Sequence, residues 1–209
     1  MVKHTVSAVI LAAGMSRRMG CTKQLMKLGD SFILERVIKN VMSLPFEEIV
    51  IVVGHQKEKI KREISIHSSI IKWVYNEKYE KGQSSSFLTG MEFVPSSSSS
   101  VMFFLGDQPF IQRNSMLTVF ETGIKGMKKQ SDPFVVRPYF QKTPGHPIFF
   151  GNYKQLDFSN VSGDHGGKAL LKNVNKMVNI YMNDPHIAFD IDTPEDFEKA
   201  KWMIKNMDA

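Results

Sequence analysis

Residues 6–23 read VSAVILAAGMSRRMGCTK, an apolar run that passes directly into a basic loop containing glycine. The continuous apolar character of 6–11 predicts a strand buried on both faces of a sheet. Small residues in the loop let backbone N–H groups approach an anion closely, and Arg17, Arg18 and Lys23 add fixed positive charge. The stretch therefore predicts a cradle for a triphosphate, and an ordinary strand-to-helix turn with exposed bases is the alternative.

Short apolar runs alternate with amphipathic segments along the rest of the chain. The runs at 49–53 and 101–105 are typical of buried strands, whereas 32–42 has helical spacing. This alternation predicts an α/β protein, built from βαβ units around a largely parallel sheet with helices on both faces. We also predict strands at 70–75, 134–137, 148–150, 178–182 and 187–191, and helices at 56–63, 84–93, 115–128 and from Thr193-Pro194 toward Asn206.

The composition is that of a globular protein, with 209 residues, 42% hydrophobic and 23% charged, which suits one domain over 1–209. No apolar run approaches the ~18 residues that span a bilayer. The single cysteine, Cys21, excludes an intramolecular disulfide framework and a cysteine zinc site. We therefore expect a cytoplasmic protein without membrane contact. The formal net charge of +6 suits an anionic partner, but no basic stretch is interleaved with aromatic residues, so no nucleic acid partner is expected.

Two acidic segments follow predicted strands. The sequence FFLGDQP places Asp107 just past a strand, at the edge where open α/β sheets bind ligands. In the sequence DIDTP, Asp190 and Asp192 would face the same side of a strand. Carboxylate oxygens at such an edge suit Mg²⁺ bridged to ligand phosphates. The alternatives are a plain Asp-Gln-Pro turn for the first segment and a helix cap for Asp192.

The LAAG-x-S-x-RMG-x-x-K string, the later GDQP and the terminal DIDTPED occur in an order that resembles the MobA/MocA nucleotidyltransferase family. The nearest branch is that of the molybdenum cofactor cytidylyltransferases, including homologues associated with purine catabolism and xanthine dehydrogenase. The similarity covers nearly the whole chain, with 76–90, 145–147 and 163–166 included. The resemblance implies a three-layer, Rossmann-like nucleotidyltransferase fold with a mixed, mostly parallel sheet. It also implies transfer of CMP from CTP to the phosphate of molybdopterin or its molybdenum form, with release of pyrophosphate.

The resemblance also implies roles for individual residues. Lys23, Arg18 and Asp107 would be catalytic, and Asp107, Asp192 and Asp190 would hold Mg²⁺. The nucleotide-binding residues would be Leu11, Ala12, Ala13, Gly14, Ser16, Lys23, Gly82, Gln83, Ser84 and Ser85. The acceptor-binding residues would be His146, Asp164 and Lys168. Lys168 departs from the Gly-Ala-Arg-like sequence of related chains, and lysine keeps the charge of arginine but loses its bidentate geometry.

The loop reads LAAG where the guanylyl branch shows LAGG, which favours CTP over GTP. A GTP-dependent or sugar-phosphate nucleotidyltransferase remains an alternative. A second alternative is a non-catalytic protein that delivers the cofactor to a molybdoenzyme such as xanthine dehydrogenase. This alternative is disfavoured because Lys23, Asp107 and Asp192 are all present. A third alternative is an oxidoreductase that reuses the fold. It is disfavoured because the dinucleotide fingerprint GxGxxG is absent.

Overall fold

A computed structural model describes residues 4–159, 161–163, 174 and 176–207. Ten strands and five α-helices alternate along this described part of the chain. The strands are β1 (Val6–Ala12), β2 (Lys27–Leu28), β3 (Ser31–Phe32), β4 (Ile49–Val53), β5 (Ile71–Tyr75), β6 (Ser100–Leu105), β7 (Phe134–Phe140), β8 (Thr143–Pro144), β9 (Ile148–Gly151) and β10 (Lys176–Tyr181). The helices are α1 (Ile33–Met42), α2 (Lys57–Glu63), α3 (Gln83–Glu92), α4 (Arg113–Met127) and α5 (Pro194–Met207).

Eight of the described strands form one sheet in the order β10-β7-β9-β6-β1-β4-β5, with β8 paired to β7 outside this path. Strands β5, β4, β1 and β6 are mutually parallel. Strand β9 is antiparallel to both β6 and β7, so β7 again runs parallel to β6, and β10 follows β7 in parallel. The predicted α/β class with a mixed, mostly parallel sheet is confirmed.

The central strands are buried on both faces, as their continuous apolar runs predict. Along β1, Ala8 and Ile10 pack on the face that carries α1, α2 and α4, whereas Val9 packs on the opposite face with Phe87 of α3. The sheet therefore lies between two helical layers. No helix among the described residues is both long and apolar enough to cross a membrane.

The predicted strand at 187–191 is wrong. Residues Pro185–Ala188 form a 3₁₀ helix instead, and no strand follows it. Asp184 caps this helix, because its carboxylate accepts a hydrogen bond from the backbone N–H of His186 at 3.0 Å. A proline in the first turn and a capping aspartate before it favour helical geometry over an extended strand, which the apolar pattern alone does not reveal.

The start of α5 is capped by Thr193 and Asp196. Thr193 Oγ1 accepts a hydrogen bond from the Asp196 N–H at 3.2 Å, and the Thr193 N–H donates to Asp196 Oδ2 at 3.1 Å. This reciprocal pair satisfies two N–H groups that the helix itself leaves unpaired. It also fixes the direction of the chain immediately after Asp192.

Candidate active site

The loop that follows β1 leaves the sheet at its carboxyl edge, between two close-packed glycines. A Cβ on Gly54, just after β4, would lie 2.5 Å from Cβ of Tyr79. A Cβ on Gly106, just after β6, would lie 2.9 Å from Cβ of Ala12. Only glycine fits at such distances. The segments after β4 and β6 can therefore close around the end of β1.

A buried glutamine holds this loop in shape. Gln24 Nε2 donates hydrogen bonds to the backbone carbonyls of Ala12 at 2.9 Å and Gly14 at 3.0 Å. Ser16 adopts left-handed backbone geometry, with φ of 53°, and its hydroxyl donates to Gln24 Oε1 at 3.3 Å. Among the described residues, the N–H groups of 14–16 donate to no protein acceptor. Such a run of available N–H groups is suited to binding phosphate oxygens.

Four charged side chains meet beside the loop. Lys23 Nζ donates to Asp107 Oδ2 at 2.6 Å and to Asp192 Oδ1 at 2.7 Å. Arg18 reaches the other oxygen of Asp192 at 2.8 Å, from a side chain that is 69% exposed. One carboxylate comes from the middle of the chain and the other from near its C-terminus, and both converge on one ammonium group.

The pKa values of these groups follow from their contacts. Burial by itself lowers the pKa of Lys23, but the charges and hydrogen bonds of Asp107 and Asp192 outweigh it, and the pKa is raised above its usual value. Burial by itself raises the pKa of Asp192, but the hydrogen bonds and charges of Lys23 and Arg18 outweigh it, and the pKa is lowered. Both shifts stabilise the ionised pair.

Asp190 lies beside this cluster in a different environment. Ile191 is buried, and its N–H donates to the backbone carbonyl of Asp107 at 3.1 Å, which anchors the segment without any strand. Burial and the negative charge of Asp107 raise the pKa of Asp190 to about 6, although a hydrogen bond from Gln108 Nε2 at 2.6 Å opposes the shift. Asp190 is therefore protonated more readily than Asp192, whose pKa is lowered.

A cavity of about 450 Å³ lies over the loop. All the predicted nucleotide-binding residues except Ser84 and Ser85 line it: Leu11, Ala12, Ala13, Gly14, Ser16, Lys23, Gly82 and Gln83. The predicted catalytic residues Arg18 and Asp107 line it as well, together with Asp192. The structure thus brings the loop after β1, the GDQP segment and the DIDTPED segment to a single cavity.

Ser84 and Ser85 turn away from this cavity. Ser84 is buried within α3, and Ser85 Oγ accepts a hydrogen bond from Asn76 Nδ2 and lies 2.8 Å from the carbonyl of Lys78. Both serines line a different cavity of about 620 Å³. Neighbouring positions of a helix point about 100° apart, so Gln83 and Ser86 face the loop while these two residues do not.

A second cavity of about 690 Å³ adjoins the first at the same edge of the sheet. His146 lines it, as do Asp190 and a wall of phenylalanines, Phe87, Phe103 and Phe150. His146 is held there because its N–H donates to the backbone carbonyl of Ile187 at 2.8 Å. The two cavities share five lining residues: Leu11, Gln83, Leu105, Asp107 and Asp192. Asp164 and Lys168, the other predicted acceptor-binding residues, lie outside the described residues.

The carboxylates fit a divalent cation of the magnesium type. Asp107 Oδ1 is buried and has no hydrogen-bond partner, and Asp192 presents both of its oxygens to cations. The described residues contain no group of three or more His, Cys, Asp or Glu side chains arranged around one metal position. Magnesium is commonly held by one or two carboxylates together with substrate phosphates, so a carboxylate pair suffices.

Three polar residues of the site are absent from the sequence predictions. Gln24 shapes the loop, Gln108 holds Asp190, and Arg137 lines the second cavity. All three are buried. A polar residue within a loop or an apolar strand has no distinctive spacing, and only its burial in the folded protein distinguishes it from a solvated side chain.

The model of the MobA-like NTP transferase domain matches residues 8–178. The chain belongs to this family. Membership agrees with the geometry, because the matched region includes the loop, Asp107 and most of both cavity walls. Membership in this family assigns nucleotidyl transfer to the chain as its general activity.

Two relatives of the MobA-like chain align over almost their whole length. It is 27% identical over 201 residues to the molybdenum cofactor cytidylyltransferase of Escherichia coli (strain K12), covering 94% of this chain and 95% of that protein. It is 28% identical over 216 residues to the "Probable molybdenum cofactor guanylyltransferase" of Natranaerobius thermophilus, with the same coverage. It also matches the bifunctional protein GlmU of Buchnera aphidicola at 33% identity, but spans only 31% of that protein's length.

Solved structures share the MobA-like fold over nearly the whole chain. A homologue of Mycobacterium tuberculosis rv0371c from Mycobacterium sp. strain JC1 superposes with a TM-score of 0.81 at 24% identity, covering 97% of this chain and 98% of that one. The Rv0371C complex with manganese superposes with a TM-score of 0.77 at 16% identity, covering 96% of this chain and 100% of that one. A nucleotidyl transferase from Methanothermobacter superposes with a TM-score of 0.75 at 18% identity, covering 98% of this chain and 100% of that one. The predicted Rossmann-like nucleotidyltransferase fold is confirmed.

Proposed function

We propose that this chain transfers a cytidylyl group from CTP to the terminal phosphate of molybdopterin or its molybdenum form. The observation that carries the proposal is the wall between two cavities, where Asp107 and Asp192 line both. A nucleotide in the first cavity and an acceptor in the second would meet at these carboxylates. Holding two substrates in contact is the main requirement of a direct group transfer.

The chemistry needs charge neutralisation more than a base. A phosphate monoester has its second pKa near ~6 and is largely dianionic at neutral pH, so it is already nucleophilic. One of its oxygens would attack the α-phosphorus of CTP, and the bond to the β-phosphate would break as pyrophosphate leaves with the electron pair. The N–H groups of 14–16 would bind the triphosphate, while Lys23 and Arg18 offset the charge that the two anions bring together.

Asp107 and Asp192 would hold Mg²⁺, with Asp190 as a further carboxylate nearby. When bound, the cation would neutralise phosphate oxygens that would otherwise repel the incoming acceptor. The buried, unpartnered Asp107 Oδ1 supports this assignment. The structural neighbour Rv0371C is a complex with manganese, which supports a divalent cation without choosing between the two metals.

The choice of CTP rests on the loop sequence Ala12-Ala13-Gly14, because the relatives of almost equal identity are named for both cytidylyl and guanylyl transfer. The resemblance to homologues associated with purine catabolism favours a molybdoenzyme such as xanthine dehydrogenase as the final recipient. Equal concentrations of CTP and GTP in competition would test the nucleotide choice. A preference of the wild-type protein for GTP would overturn it.

Pyrophosphate release tests the function as a whole. The protein, supplied with Mg²⁺, would be incubated with CTP, GTP or ATP, each with and without molybdopterin. We expect release to require both CTP and molybdopterin. Release with a sugar phosphate as the acceptor would identify a sugar-phosphate nucleotidyltransferase instead. Tight molybdopterin binding without release under any nucleotide would identify a delivery protein.

The variant Asp107→Asn tests the shared carboxylate wall in the same assay. It keeps the side-chain size but removes the charge, and turnover should fall about 10²-fold or more, the scale of losing one electrostatic contact to the transition state. Asp132→Asn, at an exposed aspartate before β7, is the matched control and should turn over like the wild type. Unchanged turnover in folded Asp107→Asn protein would remove Asp107 from the mechanism.

A further inference from the structure

The second cavity contains a buried arginine that the transfer chemistry does not use. Arg137 lies on β7 and is 7% exposed. It follows Val135 by two positions and so shares the face of the sheet on which Val135 packs with Phe103 and Phe150. The cavity is lined by Arg137 and both phenylalanines. A cation thus lies beside two phenylalanines in a cavity whose lining also includes the polar side chains of His146 and Asp190.

The guanidinium of Arg137 lacks a negative partner in the described part of the protein. Its Nε is buried without a hydrogen-bond partner, and none of the salt bridges among the described residues involves it. The centroid of the Tyr139 ring lies 6.0 Å from the guanidinium carbon, at cation–π distance. Burial lowers the pKa of Arg137 from its usual value, yet arginine remains protonated at neutral pH.

A buried guanidinium without a negative partner lowers the stability of the folded protein. A buried charge without a partner is destabilising, and replacement of buried ionic groups by apolar ones of similar volume often stabilises a protein. Packing alone is therefore better served by a methionine or leucine at this position. A guanidinium in a cavity wall has a clear use when the cavity receives an anion, because it presents several N–H donors in a planar fork.

The strand register shows where that anion would bind. Phe149 of β9 pairs with Met102 of β6 and with Val136 of β7, so Arg137 lies level with Phe103. The guanidinium points along β7 toward Tyr139, and hence toward the carboxyl edge that carries Asp107. Two strand spacings separate β7 from β6, or about 10 Å. An anion held by Arg137 would therefore lie on the β7 side of the cavity, across β9 from the phosphate that would react beside Asp107.

We propose that Arg137 binds a second anionic group of the acceptor, and so selects acceptors in which an apolar or flat body separates that group from the reacting phosphate. The body would lie against the phenylalanine wall. This inference rests on the proposed function in so far as it takes the second cavity to be the acceptor site. It makes Arg137 a specificity-determining residue for the acceptor.

The first test needs no substrate. Thermal unfolding would be followed for the wild type, Arg137→Met and Arg137→Lys, with orthophosphate or sulfate as the anion, and with Arg113→Met, an exposed arginine of α4, as the matched control. Without anion, Arg137→Met should melt at the wild-type temperature or about 2 to 4 °C above it. Added anion should raise the melting temperature of the wild type, Arg137→Lys and Arg113→Met more than that of Arg137→Met.

A lower melting temperature of Arg137→Met without anion, together with an anion response equal to that of the wild type, would make Arg137 a structural residue and overturn the proposal. An equal anion response alone would also overturn it, since the anion would then bind elsewhere. Neither melting temperature, with or without anion, requires CTP or molybdopterin. The test of Arg137 therefore remains valid even if the proposed function is wrong.

Steady-state kinetics with CTP and molybdopterin then distinguish the two anions. Arg137→Met should raise KM for molybdopterin at least about tenfold, with kcat within about threefold of the wild type and KM for CTP unchanged, because a remote contact contributes equally to ground and transition states. Arg137→Lys should recover part of the loss. A fall in kcat with an unchanged KM would mean that Arg137 serves the reacting phosphate, and would overturn the two-anion proposal.

Discussion

Lys23 holds together two carboxylates that would otherwise repel each other. Its ammonium group contacts Asp107 and Asp192 at 2.6 and 2.7 Å. The side chains of Lys23 and Asp107 are only 11% and 19% exposed, so solvent screens this contact weakly. Arg18 is a less constrained partner, because most of its side chain is in water. The same lysine is thus a structural counter-charge in the free protein, and under the proposed function it would also bind substrate phosphate.

The variant Lys23→Met should therefore lose stability in a pH-dependent way. We expect a loss of about 1 to 2 kcal/mol at pH 7, below the ~3–5 kcal/mol of a fully buried pair because Asp192 is partly exposed. The folded pKa of Asp192 is lowered, so its contribution is present above the unfolded value of 3.8 and is lost as the pH falls through the folded value. The raised pKa of Lys23 leaves its own contribution intact throughout this acidic range.

Urea unfolding of metal-free protein, followed by circular dichroism at pH 7, 5 and 3.5, would measure this effect. The gap between the wild type and Lys23→Met should narrow as the pH falls. Arg18→Met is the control, and we expect a change within about 0.5 kcal/mol, as for exposed ion pairs. A gap that stays constant across the pH range would show that Lys23 stabilises the fold by packing and not by its charge.

Among the elements, α5 matters to the site through its first turn. Thr193 and Asp196 exchange hydrogen bonds at the N-terminus, and Asp192 immediately precedes this cap. Farther along α5, Ala200 and Ile204 pack in a small core with Leu28 and Ile33. The helix is therefore fixed at both its cap and its buried face, which holds Asp192 against Lys23.

Asp196→Ala removes the side chain that accepts the Thr193 N–H, and we expect it to lower the free energy of unfolding by about 1 kcal/mol. Glu195→Ala, at the adjacent exposed position, should cost less than about 0.5 kcal/mol because it removes only an interaction with the helix dipole. Denaturant unfolding at pH 7 would measure both. Equal losses in the two variants would indicate that the first-turn charge, and not the cap, stabilises α5.

For the whole molecule, the strand order determines where ligands can bind. The chain passes from β1 to β4 and β5 on one side and then to β6 on the other. The order of the connections therefore reverses beside β1, and open α/β sheets bind ligands at the carboxyl edge beside such a reversal. Both cavities open there, one beside the loop after β1 and the other beside β9 and the 3₁₀ helix Pro185–Ala188.

Hydrogen exchange would locate the nucleotide within this edge. CTP with Mg²⁺ should slow amide exchange in 14–16, where the N–H groups donate to no protein acceptor among the described residues, and in 79–83. Exchange in 143–148, which lies at the second cavity, should not change until molybdopterin is added. Helix α4, remote from the first cavity's lining, serves as the internal control. Protection of 143–148 by CTP alone would reverse the assignment of the two cavities.

The sequence predicted the parts of the site that depend on local pattern. Continuous apolar runs identified the central strands, and the residues directly after them, from Ala12 to Ser16 and at Asp107, were predicted at the carboxyl edge. The prediction failed at 187–191, where a capped 3₁₀ helix replaces an apolar strand. It also grouped Ser84 and Ser85 with Gln83, because sequence proximity does not tell which face of α3 each residue occupies.

By itself, the sequence determined the α/β class and a largely parallel sheet, since these follow from apolar periodicity. It also predicts a phosphate-binding loop from small and charged residues next to a strand end, whereas the mixed character of the sheet was implied by the family resemblance. Only the tertiary structure decided that Lys23 bridges carboxylates 84 and 169 positions away, and that Arg137 is buried without a partner in the described residues. Pairing and burial depend on which strands become neighbours. That order arises from packing the whole sheet between its helical layers, and no short stretch of the chain contains it.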